Sequence, residues 1–149
     1  MIKRGIRLIK ETIGHGPVAE KGDHLIYNLR VYLNRGEEVP INDLNENAGE
    51  NLKKYDDKNL TIEEGYKFIN FNTRLGQHGA IEGIEYSLYG MREGGYRKVK
   101  VSPNLAYRMK EISGRVPPNA AIIFEIWLRK IIKKTENESS EKGEILAFP

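Results

Sequence analysis

Residues 24–33, HLIYNLRVYL, place Leu25, Tyr27, Leu29, Val31 and Leu33 on one side of the chain. His24, Asn28 and Arg30, with Ile26 and Tyr32, fall on the other. A period of two predicts a half-buried strand. The NRGEE turn follows, with Gly36 where a positive φ costs least. The strongest alternation lies in RVPPNAAIIFEIWLRKIIKK, where Ile122, Phe124, Ile126 and Leu128 share a face and Pro117 and Pro118 precede the strand. YRKVKV predicts another strand, Val99 and Val101 inward, Lys98 and Lys100 outward. FINFNTRLG predicts a short strand ending at Gly76. One segment has a helical period instead. In GAIEGIEYSLYGM, Ile81, Ile84 and Leu88 recur at helical spacing, and Gly90 stands just past the end as a C′ residue.

Strands, one short helix, then more strands predict an antiparallel sheet packed on a single helix, an α+β domain. Residues 41–66 break the pattern. They carry seven acids against three bases, five Asn and few apolar residues, and so predict an acidic, Asn-rich surface insertion. Residues 135–149, TENESSEKGEILAFP, read as a polar tail.

Composition narrows the chemistry. The 149 residues suit one domain with a moderate core. No cysteine is present, which excludes thiolate catalysis, disulfides and Cys-based zinc sites. The net charge of +3 is too mild to imply nucleic acid as a partner. The leading MIKRGIRLIKETIGHGP lacks the apolar run of a signal peptide. No stretch approaches the roughly 18 apolar residues of a transmembrane helix. A cytoplasmic protein that does not engage membranes is the expectation.

Several motifs point to no chemistry. Asp43, Asn45 and Asn47 have calcium-loop spacing, but the sixth and twelfth positions are Ala48 and Lys54 where an EF-hand needs Gly and Glu. His15, His24 and His78 are not at metal-ligand spacing. GMREGG lacks the Lys-Ser/Thr ending of a phosphate loop. Arg92, Arg97, Lys98, Lys100, Arg108 and Lys110 could share a basic face, which on a strand is ordinarily the solvent side of a sheet. Spacing alone singles out no nucleophile–base pair.

The order of motifs does resemble one family. GHGPVAEKGDHLIYNLRVYLNRGEEV is similar to the first strands of FKBP-type peptidyl-prolyl isomerases. LGQHGAIEGIEYSLYGMREGGYRKVKVSPNLAYRMKEISGRVPPNAAIIFEIWLRKI is similar to their second half. The resemblance spans about residues 13–40 and 70–132. It implies a strongly bent antiparallel sheet wrapped around one short helix, with an apolar cleft between them. It also implies an FKBP-like domain over residues 1–134, interrupted by the acidic insertion at about 41–66.

Carried over by position, the resemblance implies Tyr107, in LAY, as the catalytic hydroxyl that donates to the substrate carbonyl. It implies a cleft lined by Leu29, Val39, Phe71, Ala80, Ile81, Ile84, Val116 and Phe124. Several positions depart from the family. Ile84 stands where it has a floor Trp, Leu29 where it has Tyr, and Ala80 where it has Val. Val39 and Pro40 replace an aromatic and an Asp, and Arg108 replaces the Gly of AYG. The function implied is cis–trans isomerisation of Xaa–Pro bonds in proline-containing polypeptides, at low activity and without a cofactor. The alternative is a non-catalytic FKBP-like module that binds a peptide or protein. Under either reading, residues 41–66 are a candidate surface for a protein partner.

Overall fold

The computed structural model describes residues 4–42, 59–105 and 120–134. Eight strands and one α-helix occur among them: β1 (Ile6–Thr12), β2 (His24–Leu33), β3 (Glu38–Val39), β4 (Leu60–Glu63), β5 (Tyr66–Ile69), β6 (Phe71–Arg74), α1 (Glu82–Leu88), β7 (Tyr96–Val101) and β8 (Ile122–Ile132). The main sheet runs β1-β7-β8-β2-β3, and β6 pairs with the first half of β2. Every pairing is antiparallel. β2 thus meets β6 through His24 to Tyr27 and β3 through Val31 and Tyr32, so one long strand carries two short ones on its outer edge. A curled antiparallel sheet around one short helix is the α+β architecture expected.

The alternating faces meet as predicted. Leu25, Leu29 and Val31 of β2, Val99 and Val101 of β7, and Ile122, Phe124, Ile126 and Leu128 of β8 form a single buried core with Ile84 and Leu88 of α1. Gly83 sets how closely the helix lies on the sheet. A Cβ there would stand 2.4 Å from Val101 Cγ1 and 2.8 Å from the Leu105 carbonyl, distances no side chain tolerates without movement.

Helix α1 is only seven residues long and is held by its surroundings. Gly90 follows it with φ +80°, as the C′ position requires. The Gly90 N–H donates to Ala19 O and the Ala19 N–H to Met91 O, pinning the helix exit to the chain before β2. Arg97 Nη1 donates to Ser87 O and Tyr89 O, at 2.8 and 3.0 Å, placing a cation where the helix leaves carbonyls unpaired. Its Nε donates to Glu11. Arg97 therefore belongs to the helix side of the sheet and not to a solvent-facing basic row. Arg92 donates to Gly16 O. Arg108 and Lys110 lie outside the described residues.

Three further features differ from the sequence reading. Strand β1 carries no anticipated pattern; only Ile6 of its seven residues is buried. FINFNTRLG is not one strand. The chain turns between Ile69 and Phe71, giving β5 to a hairpin with β4 and β6 to the main sheet. Asn28, on the polar side of β2, is fully buried, because the β4–β5 hairpin covers that face. Its Nδ2 donates to Ile69 O and Asn70 Oδ1, and its Oδ1 accepts from Arg129 Nε at 2.6 Å. Phe68 seals the same place, its ring 4.9 Å from that of Trp127 and 4.5 Å from that of Tyr66.

The described parts of the acidic segment are residues 41–42 and 59–66. Asn42 is buried, donating to Leu29 O at 2.7 Å and accepting from Ile69 N at 3.0 Å. Residues 43–58, with the calcium-loop spacing at Asp43, and the tail 135–149 lie outside the described residues.

Candidate functional site

Seven of the nine residues assigned to the cleft fall among the described ones, and the fold brings them together. Leu29, Val39, Ile84 and Phe124 are members of the core cluster, and Phe71, Ala80 and Ile81 are partly buried against it. They come from five elements. Leu29 is on β2, Val39 on β3, Phe71 opens β6, Ile84 is on α1 and Phe124 on β8, while Ala80 and Ile81 lead into the helix. Register explains part of this convergence. Val31 of β2 is paired to Val39 on one side and to Phe124 on the other, and Tyr27 is paired to Phe71. Tyr107 and Val116 lie outside the described residues.

The approach to the helix is short and sterically tight. Ile81 has extended backbone, φ −63° and ψ 152°, and its carbonyl accepts from Ile84 N and Glu85 N to open α1. Gly79 lies so close to β6 that a Cβ would stand 2.7 Å from Thr73 Oγ1. His78 takes a positive φ of 57° beside it. Below this loop the buried carboxylate of Glu85 accepts from Gly76 N at 3.3 Å, in the first turn of the helix, where negative charge is favoured.

The seven described side chains assigned to the cleft carry no charge and no hydrogen-bonding group. A substrate here would be held by shape and dispersion, with polar recognition left to backbone groups and to residues outside the described set. Two aromatics not implied by the resemblance, Tyr86 and Tyr89, also pack against the cluster. Their spacing of three, Tyr86 in α1 and Tyr89 as its C-cap, is the signal that would find them. Burial, with Glu85 as a lesser cause, raises the pKa of the Tyr89 hydroxyl. Tyr27 stands behind Phe71, ring centres 6.0 Å apart at 31°.

No three His, Asp or Glu side chains gather at metal-binding distance among the described residues. No described helix is long and apolar enough to cross a membrane.

Comparison with known proteins agrees with the fold. A model of the FKBP-type peptidyl-prolyl cis-trans isomerase family matches residues 16–129. The 46 kDa FK506-binding nuclear protein of Spodoptera frugiperda is 28% identical over 130 residues, which are 87% of this chain and 26% of that protein. FK506-binding protein 4 of Aspergillus fumigatus is 26% identical over 128 residues, and this chain spans 21% of its length. The FK506-binding protein of Neisseria meningitidis serogroup C is 33% identical over 104 residues, which are 61% of this chain and 94% of that protein. Among solved structures, the three FKBP domains of wheat FKBP73 superpose with a TM-score of 0.59 at 23% identity, covering 87% of this chain and 46% of that one. The chain thus spans about a quarter or less of the two larger relatives and nearly all of the bacterial one. With the family match over most of its length, the chain belongs to the FKBP-type peptidyl-prolyl cis-trans isomerases.

Proposed function

We propose that this domain accelerates cis–trans isomerisation of Xaa–Pro bonds in polypeptides, at a turnover below that of relatives with an aromatic floor. The observation that supports this reading is that Leu29, Val39, Ile84 and Phe124, from four elements, belong to one apolar core, against which Phe71 and the helix-leading Ala80 and Ile81 pack partly buried.

The chemistry needs shape and desolvation more than reactive groups. Rotation about the prolyl amide breaks resonance against a barrier of about 18–20 kcal/mol, so the uncatalysed bond turns over in tens to hundreds of seconds. The planar amide is charge-separated and the twisted one less so. An apolar, water-poor cleft therefore destabilises the ground state relative to the transition state. Phe71, partly buried, would supply a flat wall of proline size, with Phe124, itself fully buried, deeper in the same core. Tyr107 would donate to the substrate carbonyl, and the Ile81 N–H to a second carbonyl. Low turnover follows from Ile84 and Leu29. Aliphatic side chains at these positions hold a proline ring less rigidly than Trp and Tyr would.

The same two positions favour a second reading, in which the cleft captures a proline-containing segment without useful turnover. Isomerisation of a Leu-Pro peptide, followed by protease coupling, separates the two. Acceleration above the uncatalysed rate supports the enzyme. Peptide affinity without acceleration supports the binding module.

A further inference from the structure

The sheet face opposite α1 carries an arrangement that the cleft does not use. In the pairing of β1 with β7, Arg7 stands opposite Lys100, and Lys10 opposite Lys98. Lys98 and Lys100 are two residues apart, so all four cations project from the face away from buried Val99 and Val101. Cross-strand neighbours lie roughly 5 Å apart and alternate residues about 7 Å. Like charges directly opposite each other destabilise a sheet. This one places two such pairs in succession, and none of the four cations is in an ion pair among the described residues. Glu125 of β8 is paired to Lys98 in register and accepts hydrogen bonds from two tyrosines, and Lys98 Nζ lies 5.8 Å from the Tyr32 ring centre; the one carboxylate offsets part of the charge at Lys98 and leaves Arg7, Lys10 and Lys100 without an ion pair among the described residues.

Three independent features adjoin these cations. β1 is an edge strand that pairs with β7 alone among the described residues. Leu8, Ile9 and Ile13, on or just past this strand, are 38%, 44% and 60% exposed, and they are three of the five exposed large apolar side chains among the described residues. A groove of about 340 Å³ at the end of the β1–β7 pair is lined by Ile6, Pro103 and Ala121 together with Arg7 and Lys100.

We propose that this face and edge form a second binding surface, for an extended acidic polypeptide segment that adds to β1. An added strand offers main-chain hydrogen bonds to the outer edge of β1, which no described strand pairs with, and alternating side chains for both the groove and the cations. Its carboxylates relieve the repulsion between Arg7 and Lys100 and between Lys10 and Lys98. A nucleic acid would meet the charge alone and leave the strand edge and the apolar groove unused.

The test uses the full chain and a fluorescent peptide of alternating Glu and Val, about twelve residues long, sufficient to span one strand. Fluorescence anisotropy should show binding at low salt that weakens as salt rises. The double substitution Lys98→Glu with Lys100→Glu should weaken it about tenfold or more, and so should Arg7→Glu with Lys10→Glu. Hydrogen exchange should slow within Ile6–Thr12 when the peptide binds. Without peptide, Lys98→Gln with Lys100→Gln should raise Tm, because the repulsion is gone. The proposal is overturned by no binding, by equal binding of a Lys-Val peptide, by affinity unchanged in both charge-reversed variants, or by a single-stranded oligonucleotide of matched charge that binds more tightly than the peptide. A fall in Tm in the Lys→Gln variant would equally count against the frustrated array on which it rests.

Discussion

Tyr32 and Tyr96 reach one carboxylate from opposite sides, donating to Oε1 and Oε2 of Glu125 at 2.6 and 2.5 Å. The three residues tie β2, β8 and β7 together across the outer face of the sheet. Burial, reinforced by the hydrogen bond to Glu125, raises both phenol pKa values well above the ordinary value near 10. The folded chain therefore holds these two protons more tightly than the unfolded chain. The stabilisation is complete below about pH 10 and is lost as pH climbs from there through the raised values. Melting between about pH 8 and pH 11 should show a decline that begins near pH 10. Tyr32→Phe with Tyr96→Phe should be less stable at neutral pH and decline less steeply above pH 10. An equal alkaline slope in the two proteins would show that these hydroxyls do not carry the effect.

The hairpin on the outer face should be a structural part of the domain. Phe68 is 3% exposed and seals one side of Trp127, the single tryptophan of the chain. Phe68→Ala should cost about 3 kcal/mol and shift Trp127 emission to the red. Replacing residues 43–58 by a short Gly-containing linker should keep cooperative unfolding, because it leaves every described contact of the hairpin and of Asn42 in place. Extending the deletion to 41–66 should not, since it removes Asn42 and its bonds to Leu29 O and Ile69 N. Equal stability of the two deletions would mean that the hairpin contributes nothing.

Gly83→Ala separates helix propensity from helix position. In an isolated helix the change would gain about 1 kcal/mol. Here the new methyl meets Val101 Cγ1 and the Leu105 carbonyl. Overpacking of this kind costs about 1–3 kcal/mol, so the net result should be a lower denaturation midpoint. A raised midpoint would show that α1 slides away from β7 without penalty.

Several relatives are named for FK506 binding. In the proposed cleft, buried Ile84 and Leu29 would form the floor where the family has aromatic rings, so less flat surface would meet a rigid ligand. Calorimetry with FK506 should give micromolar affinity or weaker. Nanomolar binding would show that the aliphatic floor is an adequate substitute.

What could be read from sequence follows from where each strand lies. β2, β7 and β8 have one face in the core, so Leu25, Val99 and Phe124 announce themselves by alternation. α1 does so through Ile84 and Leu88. β1 lies at the edge with nearly everything exposed, and its register slips between Leu8 and Lys10, so no period survives. Asn28 has the polarity of a surface residue because the groups that satisfy it, on Ile69, Asn70 and Arg129, come from distant parts of the chain. Arg97 was misplaced on the basic face, although its parity with Val99 points it toward the helix. The cleft residues were assigned by position in the family pattern. Nothing in the spacing of Leu29, Val39, Phe71 and Ile84 along the chain says that they meet.

The rate of prolyl isomerisation tests the central claim most directly. With a Leu-Pro peptide, the protein should accelerate the cis-to-trans step above the uncatalysed rate. Tyr107→Phe should lower kcat/KM about two- to tenfold, the worth of one neutral hydrogen bond made in the transition state. The denaturation midpoint of the variant should be nearly unchanged. Peptide binding with no acceleration by the unsubstituted protein would contradict the catalytic reading. Acceleration untouched by Tyr107→Phe would contradict the mechanism assigned to it.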